Sequence, residues 1–297
     1  MTSPENPGQI LEATGQKQLT QQERFEKVRT LIHENSETAS KALAAELATL
    51  IRKRSSTGNG VVLGLATGST PVPFYRELIR LHREEGLSLA NVTTFNLDEY
   101  YGLPSDHPES YFRFMRDQLF DHVDIPASQI NIPDGTVPME AVYDHCLDYE
   151  QRIDDAGGLD LQILGIGRTG HIGFNEPGSA SDSTTRMITL DRVTRQDAAA
   201  DFMGVANVPR SAITMGVGTI LEARCLVLMA WGSNKSAIVR EAVEGRMTDQ
   251  ISASFLQNHD NATFLIDCAA ASHLTRFRYP WLVGPVDWDA RMKKRAV

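Results

Sequence analysis

The chain alternates uninterrupted apolar runs with amphipathic segments, and a polar turn separates one from the next. Residues 61–66 (VVLGLA) form such an apolar run, which is typical of a strand buried on both faces of a sheet. TGSTP follows, and the next residues, PFYRELIRLHREE, have a helix-like pattern that ends at Gly86. The pattern predicts a strand, a loop and a helix in this order.

The same arrangement returns further along the chain. Further strands are predicted over residues 92–100, 160–167, 225–231 and 263–267. A helix over residues 236–245 follows the turn GSNK, and an Ala-rich helix follows the last predicted strand. This alternation favours the α/β class, with a single Rossmann-like domain whose mostly parallel sheet is flanked by helices on both faces. No internal repeat or low-complexity linker divides the pattern.

The two ends of the chain differ from this pattern. Residues 1–20 are polar and rich in Gly, Pro and Gln, and they predict a flexible N-terminal tail. The α/β domain is expected over residues 21–276. Residues 277–297 carry Trp281 and Trp288, and such large apolar groups favour an extension that packs on the domain or contacts another subunit.

The composition limits the partners and the location of the protein. The chain has 297 residues, 41% of them hydrophobic, and a formal net charge of −9. This charge disfavours nucleic acids and anionic membranes as partners, so that any phosphate site must be built locally. No apolar stretch approaches the roughly 18 residues of a membrane span, and the first residues lack the order of a secretory signal. We therefore expect a cytoplasmic protein.

Three cysteines, Cys146, Cys225 and Cys268, are widely spaced and form no C-x-x-C pair. An odd, scattered set favours reduced thiols over disulfides or a zinc cluster. We expect all three in the core.

Four polar or Gly-rich segments directly follow predicted strands, at residues 67–71, 96–110, 168–179 and 232–235. Ligands of open parallel sheets bind beyond the carboxyl ends of the strands. The four segments are therefore expected to meet in one crevice.

One of these segments overlaps a G-x-G-x-x-G pattern at Gly165, Gly167 and Gly170, with Asp191 where a ribose-binding carboxylate could stand. A dinucleotide fold requires a helix directly after the third glycine. Here Pro177, Gly178 and a Ser-rich run interrupt any helical pattern. We expect a loop in which the glycines let the backbone approach a ligand.

The segment TGST raises the question of a phosphate site, because a turn between a strand and a helix presents free N–H groups to an anion. Ser69 and Thr70 add hydroxyl donors, and Lys235 and Arg195 are candidate charge partners. A helix cap is an equally valid interpretation of the two hydroxyl groups. It is not a Walker A loop, because no lysine follows the glycine.

Several segments, in this order, resemble one family. LGLATGSTP, TTFNLDEYYGLPSDHPESYFRFM, GHIGFNEPGS, ITMGVGTIL and GSNK are similar to the glucosamine-6-phosphate deaminase (isomerizing) family over roughly residues 23–274. The resemblance implies conversion of glucosamine 6-phosphate and water into fructose 6-phosphate and ammonia, without metal or organic cofactor. It also implies an amino-sugar phosphate as the small-molecule partner and a homo-oligomeric state.

The resemblance also implies roles for individual residues. Asp98 matches the base that acts at carbon 2, and burial at a strand end would raise its pKa and make it a better proton acceptor. His171 matches the ring-opening histidine, and Glu176 the carboxylate that orients it. We expect the neighbouring Glu99 to bind backbone N–H groups. The positions that match phosphate contacts are Gly68, Ser69, Thr70, Arg195 and Lys235.

Two departures from the family pattern bear on activity. The family's Gly-x-Asp-Gly-His run has Thr169 instead of the aspartate, preceded by Arg168. Both are possible modulators: the first removes a charge beside the imidazole, and the second could bind an anionic group of the substrate or of a neighbouring subunit. Residues 184–186 read Thr-Thr-Arg, where regulated members have Arg-Thr-Arg, so we predict no allosteric activator.

Two other functions remain open at this point. The same fold could carry a sugar-phosphate isomerase or lactonase for galactosamine 6-phosphate or 6-phosphogluconolactone. A non-catalytic sugar-phosphate sensor is the third possibility, which the threonine at position 169 favours and the retained acid–base residues oppose.

Overall fold

The computed structural model of the chain describes residues 10–11 and 25–283, and these residues form ten strands and eight α-helices. The strands are β1 (Arg29–His33), β2 (Val61–Leu65), β3 (Val92–Asn96), β4 (Asp98–Tyr100), β5 (Ile130–Asn131), β6 (Leu161–Leu164), β7 (Arg186–Thr189), β8 (Ser211–Thr214), β9 (Leu226–Ala230) and β10 (Ala262–Asp267). The helices are α1 (Ser36–Ser56), α2 (Val72–Glu85), α3 (Tyr111–Gln118), α4 (Val142–Asp155), α5 (Arg192–Asp197), α6 (Val217–Leu221), α7 (Ser236–Glu244) and α8 (Thr275–Arg278).

Seven strands form one sheet in the order β1-β10-β9-β6-β2-β3-β5, and every neighbouring pair in it is parallel. Its central strands are buried along their whole length, as the continuous apolar runs predict. The α/β, mostly parallel fold expected from the sequence is therefore confirmed.

Helices cover both faces of this sheet. Leu63 and Leu65 of β2 share one apolar cluster with α1 and α2. Leu226 and Leu228 of β9 share the opposite cluster with α4 and α7. Because side chains of a strand alternate between its faces, each strand contributes to both layers of core.

The predicted strand over residues 92–100 is wrong in one respect, because the chain changes sheets in the middle of it. β3 ends at Asn96, and β4 pairs antiparallel with β8 in a separate three-stranded sheet of the order β4-β8-β7. Leu97 makes the junction: its N–H donates to Leu65 O, and its carbonyl accepts from Met215 N–H. The small sheet thus begins at the carboxyl edge of the large one, and Asp98 is its first residue.

The helix predicted after β10 is shorter than expected. A 3₁₀ turn over Ala270–His273 and the four-residue α8 take its place. The helix predicted up to Gly86 is confirmed, and Gly86 ends it in the left-handed conformation with φ 65°.

Both ends of the described part of the chain contribute buried residues. Ile10, inside the expected flexible tail, is buried in the core, and the N–H groups of Ile10 and Leu11 donate to the Glu46 carboxylate. The other residues of the predicted tail lie outside the described residues. In the expected C-terminal extension, Trp281 is 72% exposed whereas Val283 is buried. Trp288 lies outside the described residues, so the role of this extension stays a prediction.

Cys146 and Cys225 are buried, as expected, but Cys268 is exposed because it follows the last residue of β10. None of the helices in the described part of the chain is long and apolar enough to cross a bilayer.

Candidate active site

A small cavity of about 180 Å³ lies at the carboxyl edge of the large sheet. Three of the four segments expected to meet there line it: Thr67 and Thr70 after β2, Asp98 after β3, and His171 after β6. The fourth segment, GSNK, contacts the cavity wall at Ile166, since Lys235 Nζ donates to Ile166 O at 2.8 Å. We call this the small cavity.

Asp98 is 5% exposed and pairs with Thr214 across β4 and β8. Its carboxylate lies against Gly173, at a place where a side chain at residue 173 would meet both Asp98 and Thr214. Burial, and secondly the charge of Glu99, raise the pKa of Asp98 well above its usual value. A carboxyl group in this environment is a stronger proton acceptor than a carboxylate in water.

Glu99 does not line the small cavity, and its carboxylate accepts hydrogen bonds from backbone N–H groups, as the sequence predicted. Its carboxylate accepts from the N–H groups of Tyr100, Tyr111 and Phe112, the last two at the start of α3. Burial raises the pKa of Glu99 to about 7, although the three N–H donors act in the opposite direction. The Glu99 carboxylate thus links β4 to the start of α3.

Replacing Glu99 with glutamine is expected to change how stability depends on pH. Glu99 binds its proton more tightly in the folded chain than in the unfolded one, so its contribution to stability is largest below pH 4.5 and is lost as the pH rises to about 7. The free energy of unfolding of the wild type, relative to E99Q, should fall by about 2–3 kcal/mol between pH 5 and pH 8. Urea unfolding at both pH values measures it. The exposed E140Q should show no such change, and an equal change in both variants would contradict the assignment.

His171 directs its two ring nitrogens to different groups. Nδ1 lies 2.9 Å from Thr169 Oγ1 and 3.4 Å from Glu176 Oε2. Nε2 lies on the side of Gly167, which is also in the cavity wall. One nitrogen is therefore held by the protein while the other is available to a ligand.

Glu176 joins the imidazole to the segment that precedes α5. Burial alone would raise the pKa of Glu176, but the neighbouring His171 and Thr194 hold it below its usual value. The carboxylate also accepts from Asp191 N–H at 3.1 Å. Asp191 itself caps α5 by accepting from Val193 N–H. No helix follows the three glycines before β7, as predicted.

Thr169 occupies the position of the family's aspartate, and its hydroxyl group is bonded to His171. Replacing Thr169 with valine is expected to lower kcat by up to about tenfold, because one hydrogen bond to Nδ1 is lost. T169S keeps the hydroxyl group and should stay close to the wild type. Steady-state kinetics of both variants, with equal melting temperatures, measure the effect. Equal kcat values for T169V and T169S would contradict it.

Arg168 does not line the small cavity and forms an ion pair with Asp197 at 2.8 Å, with both side chains largely exposed. This ion pair links the loop that carries His171 to the end of α5. The expected contact of Arg168 with an anionic group thus competes with a carboxylate of the same chain.

The five residues expected at the phosphate are spread over different surroundings. Thr70 lines the small cavity, whereas Gly68 and Ser69 line a second, large cavity of about 730 Å³. Arg195 lines neither cavity, and its guanidinium donates to Val205 O and Val208 O instead. Burial lowers the pKa of Lys235 below its usual value. The charge of Asp197 acts in the opposite direction, and that of Arg168 in the same direction.

The sequence interpretation missed Tyr111, which lines both cavities. Its ring lies 4.9 Å from that of Tyr100, centroid to centroid, and burial raises the pKa of Tyr111 well above its usual value. The available signal was Ser110, which caps α3 by accepting from Arg113 N–H and so puts Tyr111 at the first position of that helix.

Arg186, the last residue of the Thr-Thr-Arg run, was also not expected to support the site. Its guanidinium donates to Asn175 Oδ1 at 2.9 Å and to Ser179 Oγ at 3.0 Å, and Asn175 in turn donates to Ile172 O and Met215 O. These bonds hold the loop that carries His171 and Glu176.

The fold and the site define an α/β protein with a buried carboxyl group and an imidazole in one cavity at the edge of a parallel sheet. The chain belongs to the glucosamine-6-phosphate isomerases/6-phosphogluconolactonase family, whose model matches residues 34–265. The resemblance found in the motifs is thereby confirmed.

Individual proteins of known sequence or structure are similar to this chain. A glucosamine-6-phosphate deaminase-like protein of Bacteroides thetaiotaomicron is 46% identical over 274 residues, which are 92% of this chain but 41% of that protein's length. A glucosamine-6-phosphate deaminase of Shewanella woodyi is 48% identical over 77% of this chain and 86% of its own. The solved structure of a monomeric glucosamine-6-phosphate deaminase matches with a TM-score of 0.78 and 44% identity, covering 82% of this chain and 99% of its own.

Proposed function

We propose that the chain converts glucosamine 6-phosphate and water into fructose 6-phosphate and ammonia. The observation that carries this proposal is that Asp98 and His171, 73 positions apart in the sequence, line one cavity together with Thr70. A base, a proton shuttle and a hydroxyl donor for phosphate are the groups that this reaction requires. The named relatives support the same activity.

His171 first moves a proton between the anomeric hydroxyl group and the ring oxygen, which opens the pyranose. Its Nε2 is the nitrogen available for this step, because Thr169 and Glu176 hold Nδ1. Glu176 stabilises the imidazolium that forms during the transfer.

Asp98 then takes the proton from carbon 2 and returns it to carbon 1, while one proton passes from the amino nitrogen to oxygen 1, so that the double bond between carbon 1 and oxygen is replaced by one between carbon 2 and nitrogen. Water adds to carbon 2 and ammonia leaves, which gives the ketose phosphate. The raised pKa of Asp98 matches a base that must accept a proton from carbon and release it again.

The experiment that tests the proposal is a coupled assay of ammonia release from glucosamine 6-phosphate, with fructose 6-phosphate measured in parallel. Equal amounts of the two products are expected. Galactosamine 6-phosphate and 6-phosphogluconolactone serve as comparison substrates. Turnover of either of these without ammonia release from glucosamine 6-phosphate would contradict the proposal, and binding without any product would favour the sensor.

The cytoplasmic location and the homo-oligomeric state also remain proposals. The scattered, unpaired cysteines support a reducing compartment. The structural relative is described as monomeric, which argues against assuming an oligomer. Light scattering on the purified chain measures the state directly. The absence of allosteric activation stays a prediction as well.

A further inference from the structure

The large cavity adjoins the small one, and the two share Tyr111 in their walls. The loop after β2, residues 66–71, contributes residues to both cavities. Thr67 and Thr70 face the small cavity, whereas Gly68 and Ser69 face the large one. A phosphate group bound on this loop is therefore within reach of side chains from both cavities.

Arg76 is the one cationic residue among the described residues that line the large cavity. It is the fifth residue of α2, one turn after the loop, and its side chain is exposed. No hydrogen bond or ion pair to Arg76 is found within residues 10–11 and 25–283. Its guanidinium can therefore bind a ligand without first breaking a contact in the protein.

The two cations expected from the sequence differ from Arg76 in this respect. Arg195 uses one terminal nitrogen, Nη2, on the carbonyl groups of Val205 and Val208, its buried Nε has no partner among the described residues, and it lines neither cavity. Lys235 donates to Ile166 O, and its burial disfavours the charged form. Of the three side chains, Arg76 keeps the largest capacity for a new charge-assisted hydrogen bond.

We propose that Arg76 binds the phosphate group of the substrate from the side of the large cavity. This inference rests on the proposed function and adds to it a phosphate-binding residue outside the matched motifs. A guanidinium presents paired N–H donors that suit two oxygens of a phosphomonoester, which an ammonium group does not. The phosphate would lie on the loop after β2, between Arg76 and the small cavity.

Two carboxylates, Glu109 and Asp201, also line the large cavity. They repel a dianion, so that Arg76 must act against them. This arrangement predicts opposite signs for two neutralising substitutions: loss of the Arg76 charge weakens phosphate binding, and loss of the Asp201 charge strengthens it.

The test compares R76Q, R76K and D201N with the wild type, in the full chain and at low salt. R83Q is the matched control, because Arg83 lies on the same helix, outside both cavities, where it contacts His122. Calorimetric titration with inorganic phosphate gives Kd, and the ammonia assay gives KM and kcat for glucosamine 6-phosphate.

For R76Q, Kd and KM are expected to rise about tenfold with little change in kcat, and R76K should recover part of the loss. D201N should lower both constants about twofold. Constants of R76Q within twofold of R83Q would overturn the inference while leaving the proposed reaction intact. A wild type without ammonia release would instead refute the reaction, and the phosphate titration would still decide the role of Arg76.

Discussion

Replacing Asp98 with asparagine is expected to lower kcat for glucosamine 6-phosphate by about 10²–10⁴-fold, the usual contribution of a positioned general base. The amide has nearly the same shape as the carboxyl group and cannot accept the proton of carbon 2. KM should change little, because the phosphate loop is untouched. Steady-state release of ammonia and fructose 6-phosphate measures the effect.

The stability of D98N separates a catalytic role from a structural one. Burial raises the pKa of Asp98, so the charged form costs folding free energy at neutral pH. An uncharged amide should leave the melting temperature equal or higher, as is common where a functional group is held in an unfavourable environment. A lowered melting temperature together with a proportional loss of activity would indicate a structural role.

The pH profile of the wild type provides a second check. The base must be ionised in the free enzyme, so kcat/KM falls on the acid side as Asp98 becomes protonated. Because the pKa of Asp98 lies well above its usual value, this acid limb is expected well above pH 4.

The matched control is D260N, an exposed change beside the amino end of β10, which should keep both kcat and the profile. A D98N variant that retains more than a tenth of kcat would contradict the assignment.

Replacing Gly167 with alanine is expected to lower kcat by about 10²-fold. A methyl group at this position would overlap the imidazole of His171 at Nε2, Cε1 and Cδ2. The ring must therefore move, and a displacement of about 1 Å is enough for such a loss when two groups have to act on one substrate. Steady-state kinetics of the purified variant measure it.

Gly165 in the same loop provides the control for Gly167. A methyl group at residue 165 would meet no protein atom within 4 Å, although the residue also lines the small cavity. Because the methyl group would not displace His171, G165A should leave kcat close to the wild type. Because it would enter the small cavity, it should change KM. If G167A kept its kcat, or if both variants lost it equally, the contact between Gly167 and His171 would not position the ring.

The pairing of Asp98 with His171 could be expected from the sequence because it follows from topology. Both residues stand just beyond apolar strands, at β3 and β6, and parallel strands bring their carboxyl ends to one edge. The backbone role of Glu99 could also be expected, because neighbouring residues of a strand point to opposite faces. Such inferences depend on the order and direction of the strands, which fix where the residues that follow them lie.

The contacts of the cationic side chains that are proposed for the phosphate could not be expected in the same way. Arg195 and Lys235 have long, flexible side chains whose contacts depend on carbonyl groups brought close by folding. Arg76 was missed because an arginine in the first turns of an amphipathic helix usually lies on its solvent-exposed face. No local pattern marks a cavity beside it.

The sequence by itself determined the class of the fold, the family, and the edge of the sheet where Asp98 and His171 meet, because hydrophobic periodicity and strand direction act locally. The tertiary structure alone decided that the chain leaves the large sheet at Leu97, that Thr169 lies within hydrogen-bond distance of the imidazole, and that Arg76 lines the large cavity together with Gly68 and Ser69. The first feature depends on contacts of Leu97 with Leu65 and Met215, which are far away in the chain. The other two join residues that are close in sequence, but the directions of their side chains are set only when the whole domain packs.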